Sequence, residues 1–125
     1  MHKLFTFIIA SLLTISQVLS QTNNNYQVQT YSTDNGMPSN GIKGIQWDEK
    51  NGFLWIATEA GVTRFNGLNF KSFTRENTSF IESERMNFLT LNRVGKILAM
   101  DQAENVFAVE KSSLTLLKSK PIDAK

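Results

Sequence analysis

GIKGIQWDEKNGFLWIATEAGVTRFNGLNFKSF, which spans residues 41–73, is the stretch of this chain that decides the fold. Turn signals interrupt it at residues 49–52, 59–61 and 66–67, and two of them contain an Asn-Gly pair. Asn-Gly tolerates the positive φ that tight hairpin turns require. The segments between the turns are short and rich in β-branched and aromatic residues, which is typical of β-strands. The stretch therefore predicts a four-stranded antiparallel meander.

The second predicted strand is the most apolar of the four. Residues 53–58 form an almost continuous apolar run, which indicates a strand covered on both faces. The other strands are predicted at 41–48, 62–65 and 68–73. Trp55, and with it Trp47, could stack on a sugar ring, but we expect both in the core, because aromatic residues within apolar strands usually pack against other strands.

The pattern recurs further along the chain. A shift of about 43 residues places Gly52 on Gly95 and Ile45 on Phe88. One meander cannot bury both of its faces, and a four-stranded unit that repeats every ~40–45 residues is typical of propeller blades. The predicted fold class is therefore all-β, with about two four-stranded blades of an incomplete β-propeller. The strands of the second blade are predicted at residues 85–91, 96–100, 105–110 and 114–117.

The repeat also reaches upstream. A shift of about 42 residues places Tyr31–Asn35 on Phe73–Asn77, so we interpret the segment after Tyr26 as the tail of a preceding, incomplete blade. Together with the signal peptide (1–20) that the amino-terminal pattern below predicts, these shifts divide the chain into a partial strand and loop of a preceding blade (21–40), a first full blade with its linker (41–84), a second, degenerate blade (85–118) and a truncated link to a next blade (119–125).

The amino terminus has the three parts of a signal peptide. A short cationic start is followed by an apolar run from Leu4, and Val18 and Ser20 occupy the −3 and −1 positions of a cleavage site. Cleavage after Ser20 predicts a mature chain of residues 21–125 in the periplasm or another extracytoplasmic compartment. A membrane anchor is the alternative, but the apolar run falls short of the ~20 residues needed to span a bilayer. We expect no membrane span in the mature chain.

The composition excludes several classes of function. The chain has no cysteine, its one histidine is His2, and its net charge is +2 with scattered basic residues. A Ser-His-Asp triad, a cysteine nucleophile, a usual zinc site and nucleic-acid binding are therefore not expected. No P-loop or dinucleotide motif occurs, and no pair of carboxylates stands in an apolar setting suited to acid–base catalysis. We expect neither an enzyme nor a bound cofactor or metal.

The chain resembles the two-component regulator propeller repeat. Tyr31–Asn40 (YSTDNGMPSN) is similar to the loop that opens this repeat, and Gly52–Thr58 (GFLWIAT) and Gly61–Gly67 (GVTRFNG) are similar to its L-W-I-G-T and G-L-x-R-Y-D-G motifs. The resemblance covers residues 26–73. It weakens in the second blade, where Leu98 stands at the position of the motif tryptophan.

This resemblance implies the amino-terminal, periplasmic sensor part of a hybrid two-component system histidine kinase of the Bacteroidetes type. Such a protein would carry further blades, a membrane helix and a kinase module, and would bind a small molecule or an oligosaccharide. The present chain would then recognise a signal without transferring phosphate. The alternative is a stand-alone exported binding or adhesion module built from the same repeats, which could close a ring by forming oligomers.

Asn40 and Glu59 are the candidate binding residues. The loop that enters a blade's first strand and the loop that joins its second and third strands emerge at the same end of the blade, where ligands approach. A solvated loop is the simpler interpretation of both residues. Structural roles in turns, core or ion pairs are expected for the remaining motif residues: Asp48, Gly52, Trp55, Thr58, Gly61, Arg64, Phe65 and Gly67.

Two blades leave outer faces without a partner. About three repeats are usually needed to form a stable stack. Ile97, Leu98, Val106 and Phe107 are therefore expected to face water on one side. From this we expect marginal stability or self-association of the isolated mature chain.

Overall fold

The computed structural model describes residues 26–118, so the predicted signal peptide and the link at 119–125 lie outside the described residues. The chain divides into two compact units, residues 1–30 and 31–125. The described part of the first unit, residues 26–30, is exposed and has no regular secondary structure. The second unit contains a 3₁₀ turn at Thr33–Asn35 and the strands β1 (Ile42–Asp48), β2 (Phe53–Thr58), β3 (Gly61–Phe65), β4 (Phe70–Phe73), β5 (Met86–Leu91), β6 (Ile97–Asp101), β7 (Val106–Val109) and β8 (Leu114–Lys118).

The strands form two antiparallel sheets, each in chain order: β1–β4 make the first sheet and β5–β8 the second. This confirms the predicted fold class, because residues 26–118 consist of two four-stranded meanders and contain no α-helix. The two Asn-Gly turns lie where they were predicted, and their glycines, Gly52 and Gly67, adopt φ angles of 69° and 94°.

The first strand of each sheet contains a β-bulge near its start. The register of β1 against β2 shifts between Ile42 and Gly44, and that of β5 against β6 shifts between Met86 and Phe88. A bulge leaves one residue unpaired and turns its side chain away from the regular alternation. In β1 this residue is Lys43.

The predicted repeat needs one correction. Ile45 pairs with Ile56 in the first sheet, and Leu89 pairs with Ala99 in the second, so Leu89 is the counterpart of Ile45. The predicted match of Ile45 with Phe88 is wrong by one position. The reason is that the β5–β6 turn is one residue shorter than the β1–β2 turn, which changes the offset between the two halves of the repeat.

The hydrophobic core lies between the two sheets. Trp55 of the first sheet and Phe107 of the second are fully buried in one cluster, and Ile97 is buried with them. The expectation that Ile97 and Phe107 face water is therefore wrong, whereas Leu98 and Val106 are partly exposed. Full burial of a side chain of this size stabilises the fold by about 1.5–3 kcal/mol.

The two tryptophans have different environments. Trp55 stacks on Phe73 with ring centroids 5.9 Å apart, in agreement with a core role. Trp47 is 53% exposed, so the expectation of a core position for it is wrong in this chain. Neighbouring residues of a strand point to opposite faces, and Gln46 is the residue that pairs with Trp55. Trp47 therefore lies on the side of the first sheet that faces away from the core.

Candidate functional site

Asn40 and Glu59, the two predicted binding residues, lie at the same end of the first sheet. Asn40 precedes β1, and Glu59 is the first residue of the β2–β3 turn. The backbone N–H of Glu59 donates a hydrogen bond to the carbonyl oxygen of Gly41 at 3.0 Å. This bond joins the turn to the segment before β1, which brings the two predicted residues into one region of the surface.

Two cations hold the carboxylate of Glu59. Its Oε1 atom lies 2.7 Å from Nζ of Lys43 and 2.8 Å from Nη2 of Arg85. Hydrogen bonds from Lys43 and then from Arg85 lower the pKa of the Glu59 carboxyl. Lys43 is the bulge residue of β1 and Arg85 directly precedes β5, so the carboxylate connects the two sheets. All three side chains are in contact with solvent, where water and salt weaken ion pairs.

Because Gly41 has no side chain, there is room beside it for the Glu59 carboxylate. A Cβ atom built on Gly41 would lie 2.8 Å from the carboxyl group of Glu59. A side chain at this position would therefore displace the Glu59 carboxylate from its place between the two cations.

The side chain of Asn40 stabilises the loop before β1. Its Oδ1 atom accepts a hydrogen bond from the backbone N–H of Thr33 at 3.0 Å. Thr33 begins the 3₁₀ turn, which is closed by a reciprocal capping box between Ser32 and Asn35. Asn40 as a whole is exposed, so it holds the loop and contacts solvent at the same time.

The second sheet has the same backbone hydrogen bond at this end, but different side chains surround it. The N–H of Gln102 donates to the carbonyl oxygen of Arg85 at 2.8 Å, in the position that Glu59 has in the first sheet. The turn that follows is closed by buried Asp101, whose carboxylate accepts hydrogen bonds from the backbone N and from Nδ2 of Asn105, both at 2.8 Å. Asp101 and Asn105 thus make the contacts of this turn in the second sheet, where the first sheet has Glu59 with Lys43 and Arg85.

Asp48 lies at the opposite end of the first sheet and caps the β1–β2 turn. It accepts hydrogen bonds from the backbone N of Asn51 at 3.1 Å and from Asn51 Nδ2 at 2.9 Å. Nε1 of Trp55 lies 3.4 Å from the same carboxylate. These contacts are those of the turn-capping role predicted for Asp48. Asn92 has this role in the second sheet, where its Oδ1 accepts from the N–H of Lys96 at 2.8 Å.

Thr58 and Gly61 close the β2–β3 turn. The hydroxyl of Thr58 donates to the carbonyl oxygen of Gly61 at 3.0 Å and accepts from the N–H of Ala60 at 3.1 Å. Gly61 has a φ of 111°, and a Cβ on it would lie 2.2 Å from the carbonyl oxygen of Phe73. Glycine is therefore required at this position.

Arg64 and Lys71 connect the first sheet to the β7–β8 turn. The guanidinium of Arg64 lies 4.2 Å from the ring centroid of Phe53, and its Nη1 donates to the carbonyl oxygen of Lys111. Nζ of Lys71 donates to the carbonyl oxygen of Ser112 at 3.0 Å. Arg64 was predicted as a motif residue, with a carboxylate as one suggested partner, and the structure places a backbone carbonyl there instead.

Lys43 and Arg85 were missed as members of the candidate site. Both are distant in sequence from Glu59, and no spacing rule relates the three residues. Gly44, an isolated glycine within the predicted strand, is a sequence signal for the bulge that directs Lys43 toward the turn, and it was missed. If the β2–β3 turn is known to contact the start of the next blade, a cation near residue 85 becomes an expected partner for Glu59.

The candidate site presents cationic donors and one carboxylate acceptor at the surface. Among residues 26–118, no three His, Cys, Asp or Glu side chains come together as a possible metal site. The Lys43–Glu59–Arg85 cluster offers donors and a carboxylate acceptor to a polar ligand, but it does not pair the carboxylate with a second acid. The same part of the chain has no helix with the length and apolar character to cross a membrane.

The two-sheet arrangement is that of a fragment of the propeller-type extracellular domain of a hybrid two-component sensor from Bacteroides. This chain therefore resembles the extracellular part of such sensors, and it corresponds to a small piece of them. No catalytic domain is evident in the region that matches.

Two crystal structures from B. thetaiotaomicron illustrate the similarity. The extracellular domain of BT3049, a protein assigned as a hybrid two-component system, is 28% identical with a TM-score of 0.62; the match covers 78% of this chain and 14% of that one. The extracellular domain of BT4673, assigned as a one-component system, is 16% identical with a TM-score of 0.60 over 86% of this chain and 15% of that one. At the lower identity the likeness shows the fold alone. No family model and no curated protein matches the sequence.

Proposed function

We propose that this chain contributes two blades to the ligand-sensing, extracytoplasmic propeller of a two-component signal-transduction protein. The observation that carries the proposal is the similarity to the extracellular domain of BT3049, at 28% identity over 78% of this chain. The resemblance of residues 26–73 to the regulator propeller repeat supports it independently. The role of the chain is signal recognition, and phosphotransfer belongs to a kinase module outside these residues.

The proposed ligand is a small molecule or an oligosaccharide that approaches the end of the first sheet at Asn40 and Glu59. Sugars present many hydroxyl groups, which bind to amide and carboxylate oxygens and to cationic donors. Asn40 and the Lys43–Glu59–Arg85 cluster supply these groups within one region of the surface. Two ion pairs at one carboxylate oxygen do not exhaust the acceptor capacity of Glu59, since a carboxylate has about four lone-pair sites.

A binding assay tests the ligand proposal. Isothermal titration of the exported chain, and of the full-length sensor that contains it, would use a panel of defined plant and host oligosaccharides. Replacing both Asn40 and Glu59 by alanine is expected to abolish binding of the sugar that the unchanged protein selects. Glu49→Ala, in the β1–β2 turn at the other end of the sheet, is the matched control and should leave the affinity unchanged. Unchanged affinity in the double variant would refute the assignment of these residues.

Two further observations test the sensor proposal as a whole. Amino-terminal sequencing of the exported protein should begin at Gln21, as expected for cleavage after Ser20. The gene beyond the codon for Lys125 should encode further blades, a membrane helix and a histidine kinase. An exported, folded protein that ends at Lys125 would instead favour the stand-alone binding or adhesion module.

A further inference from the structure

Four asparagines of this chain are followed directly by glycine. The pairs are Asn35-Gly36, Asn40-Gly41, Asn51-Gly52 and Asn66-Gly67. The asparagines at 35, 40 and 66 are exposed, and the one at 51 is partly buried. Exposure therefore does not distinguish the first three from one another, whereas the hydrogen bonds of the glycines do.

An asparagine before glycine can react with its own backbone. The backbone N of the glycine attacks Cγ of the asparagine, a C–N bond forms, and the side-chain nitrogen leaves as ammonia with the proton that the glycine N–H gives up. Water then opens the resulting cyclic imide to aspartate or to isoaspartate. Glycine hinders this attack least, because it has no side chain. A glycine N–H that donates a hydrogen bond must first be released, so its acceptor slows the reaction.

Two of the glycines donate their N–H to a backbone carbonyl oxygen. Gly36 donates to Thr33 at 3.1 Å, and Gly52 donates to Asp48 at 2.8 Å. Asn51 is restrained further, because its Nδ2, the nitrogen that would leave, donates to Oδ2 of Asp48 at 2.9 Å. Neither glycine nitrogen is therefore available for attack until its turn opens.

Gly41 donates its N–H to a side chain instead. The acceptor is Oγ of Ser39, at 3.0 Å. The asparagine of this pair, Asn40, is exposed. A single serine hydroxyl therefore protects this pair, and a substitution can remove it.

Gly67 differs from the other three glycines. Among residues 26–118, no oxygen accepts a hydrogen bond from its N–H. Gly67 is exposed, and a Cβ built on it would have no heavy atom within 4 Å. Water and hydroxide therefore reach its nitrogen, which can lose its proton without the opening of any hydrogen bond.

Two backbone N–H groups point at the side chain that Gly67 would attack. Oδ1 of Asn66 accepts hydrogen bonds from the N–H of Leu68 at 3.0 Å and from that of Asn69 at 2.8 Å. Attack on Cγ places negative charge on this oxygen, and a hydrogen bond to a charged acceptor is roughly twice as strong as one to a neutral acceptor. The turn therefore stabilises the transition state more than the ground state.

We propose that Asn66 is a site of spontaneous modification, at which the backbone N of Gly67 attacks Cγ and the amide is lost through a cyclic imide. Ammonia leaves, and water is the only co-reactant. The product is aspartate or isoaspartate at position 66. The other three Asn-Gly pairs are protected by the hydrogen bonds of their glycines.

The two products have different effects on the β3–β4 turn. Aspartate keeps an oxygen that accepts from Leu68 and Asn69, and it adds a negative charge to the turn. Isoaspartate lengthens the main chain by one carbon directly after Phe65, which pairs with Phe70 and stacks on it with ring centroids 4.5 Å apart. The isoaspartate form is therefore expected to weaken this end of the first sheet.

Peptide mapping of the purified chain tests the proposal. Folded chain and chain unfolded in urea are kept at the same mildly alkaline pH and temperature, and mass spectrometry follows the conversion of each asparagine to the acid. In the folded chain, Asn66 is expected to react at least about 2- to 10-fold faster than the other three, the factor that corresponds to the release of one hydrogen bond. In urea the four rates should become similar. A folded chain in which Asn35 or Asn51 reacts as fast as Asn66, or the same ratio of rates in urea, would overturn the proposal.

Two variants at residue 39 form a matched pair. Ser39→Ala removes the acceptor of the Gly41 N–H and is expected to raise the rate at Asn40 about 2- to 10-fold. Ser39→Thr retains a hydroxyl and should leave this rate low. The rate at Asn51, in a turn at the other end of the sheet, should not change in either variant. An unchanged rate at Asn40 in Ser39→Ala, or an equal rise at Asn51, would refute the control of these reactions by the individual glycine N–H groups.

Discussion

Replacement of Gly61 by alanine is predicted to destabilise the first sheet strongly. Gly61 has a φ of 111°, and a Cβ in left-handed backbone costs about 1–2 kcal/mol. The same Cβ would lie 2.2 Å from the carbonyl oxygen of Phe73. Because this oxygen belongs to the backbone at the end of β4, the strand itself must move, and overpacking of this kind costs about 1–3 kcal/mol. The expected loss in the free energy of unfolding is about 2–5 kcal/mol.

Gly67 separates the two contributions to this loss. Its φ is 94°, and a Cβ built on it has no heavy atom within 4 Å. Gly67→Ala is therefore expected to cost only the conformational part, about 1–2 kcal/mol. The difference between the two variants measures the steric part alone.

Urea unfolding followed by the fluorescence of buried Trp55 provides the measurement. The free energies of the two variants should be compared at one pH and protein concentration, so that any association of the chain is the same in both. If Gly61→Ala and Gly67→Ala differ by less than about 0.5 kcal/mol, the steric argument is refuted.

Three further predictions follow from the contacts. Because the folded-state pKa of Glu59 is lowered, its ionic contribution is present above the unfolded-state pKa and is lost as pH falls through the folded-state pKa. Urea unfolding of the unchanged chain and of Glu59→Gln across a range of pH measures this contribution as a difference in the free energy of unfolding. The difference should shrink in acid and should be smaller in a Lys43→Met background. A difference that stays constant down to acid pH would contradict the prediction. Phe107→Ala should lower the free energy of unfolding by about 3–5 kcal/mol, because the side chain is fully buried. Phe88→Ala should lower it by clearly less, because that side chain is 40% exposed. Equal losses would argue against the described core. Asp48→Ala should cost about 1 kcal/mol in thermal or urea unfolding, because the hydrogen bond to the turn is lost. Asp48→Asn should retain most of the stability, since the amide of Asn92 caps the equivalent turn of the second sheet. Equal losses in the two variants would exclude the capping role.

Local patterns in the sequence predicted the strands and the turns. The run Phe53–Thr58 became β2, and the Asn-Gly pairs became turns with positive φ, because strand and turn propensities act over a few residues. The repeat offset was sufficient to place two blades. It failed by one position at Ile45, since the length of a turn changes the offset and only the strand pairing shows where the change occurs.

The candidate site was predicted only in part, because it depends on contacts between sheets. Asn40 and Glu59 follow from knowing which loops share an end of a blade. Lys43 and Arg85 do not follow, since a bulge and the proximity of the next blade direct them to Glu59. The exposure of Trp47 was missed for a related reason: its apolar strand context predicts a covered side chain, whereas in the described residues it is 53% exposed.

The cations Arg64 and Lys71 have a consequence for how this sequence can change during evolution. Both side chains donate to main-chain carbonyl oxygens of the β7–β8 turn, at Lys111 and Ser112. Every residue type supplies a carbonyl oxygen, so the side chains at 111 and 112 can vary while the contact persists. At these two contacts the first sheet carries the sequence requirement, and residues 111 and 112 of the second blade are left free to diverge.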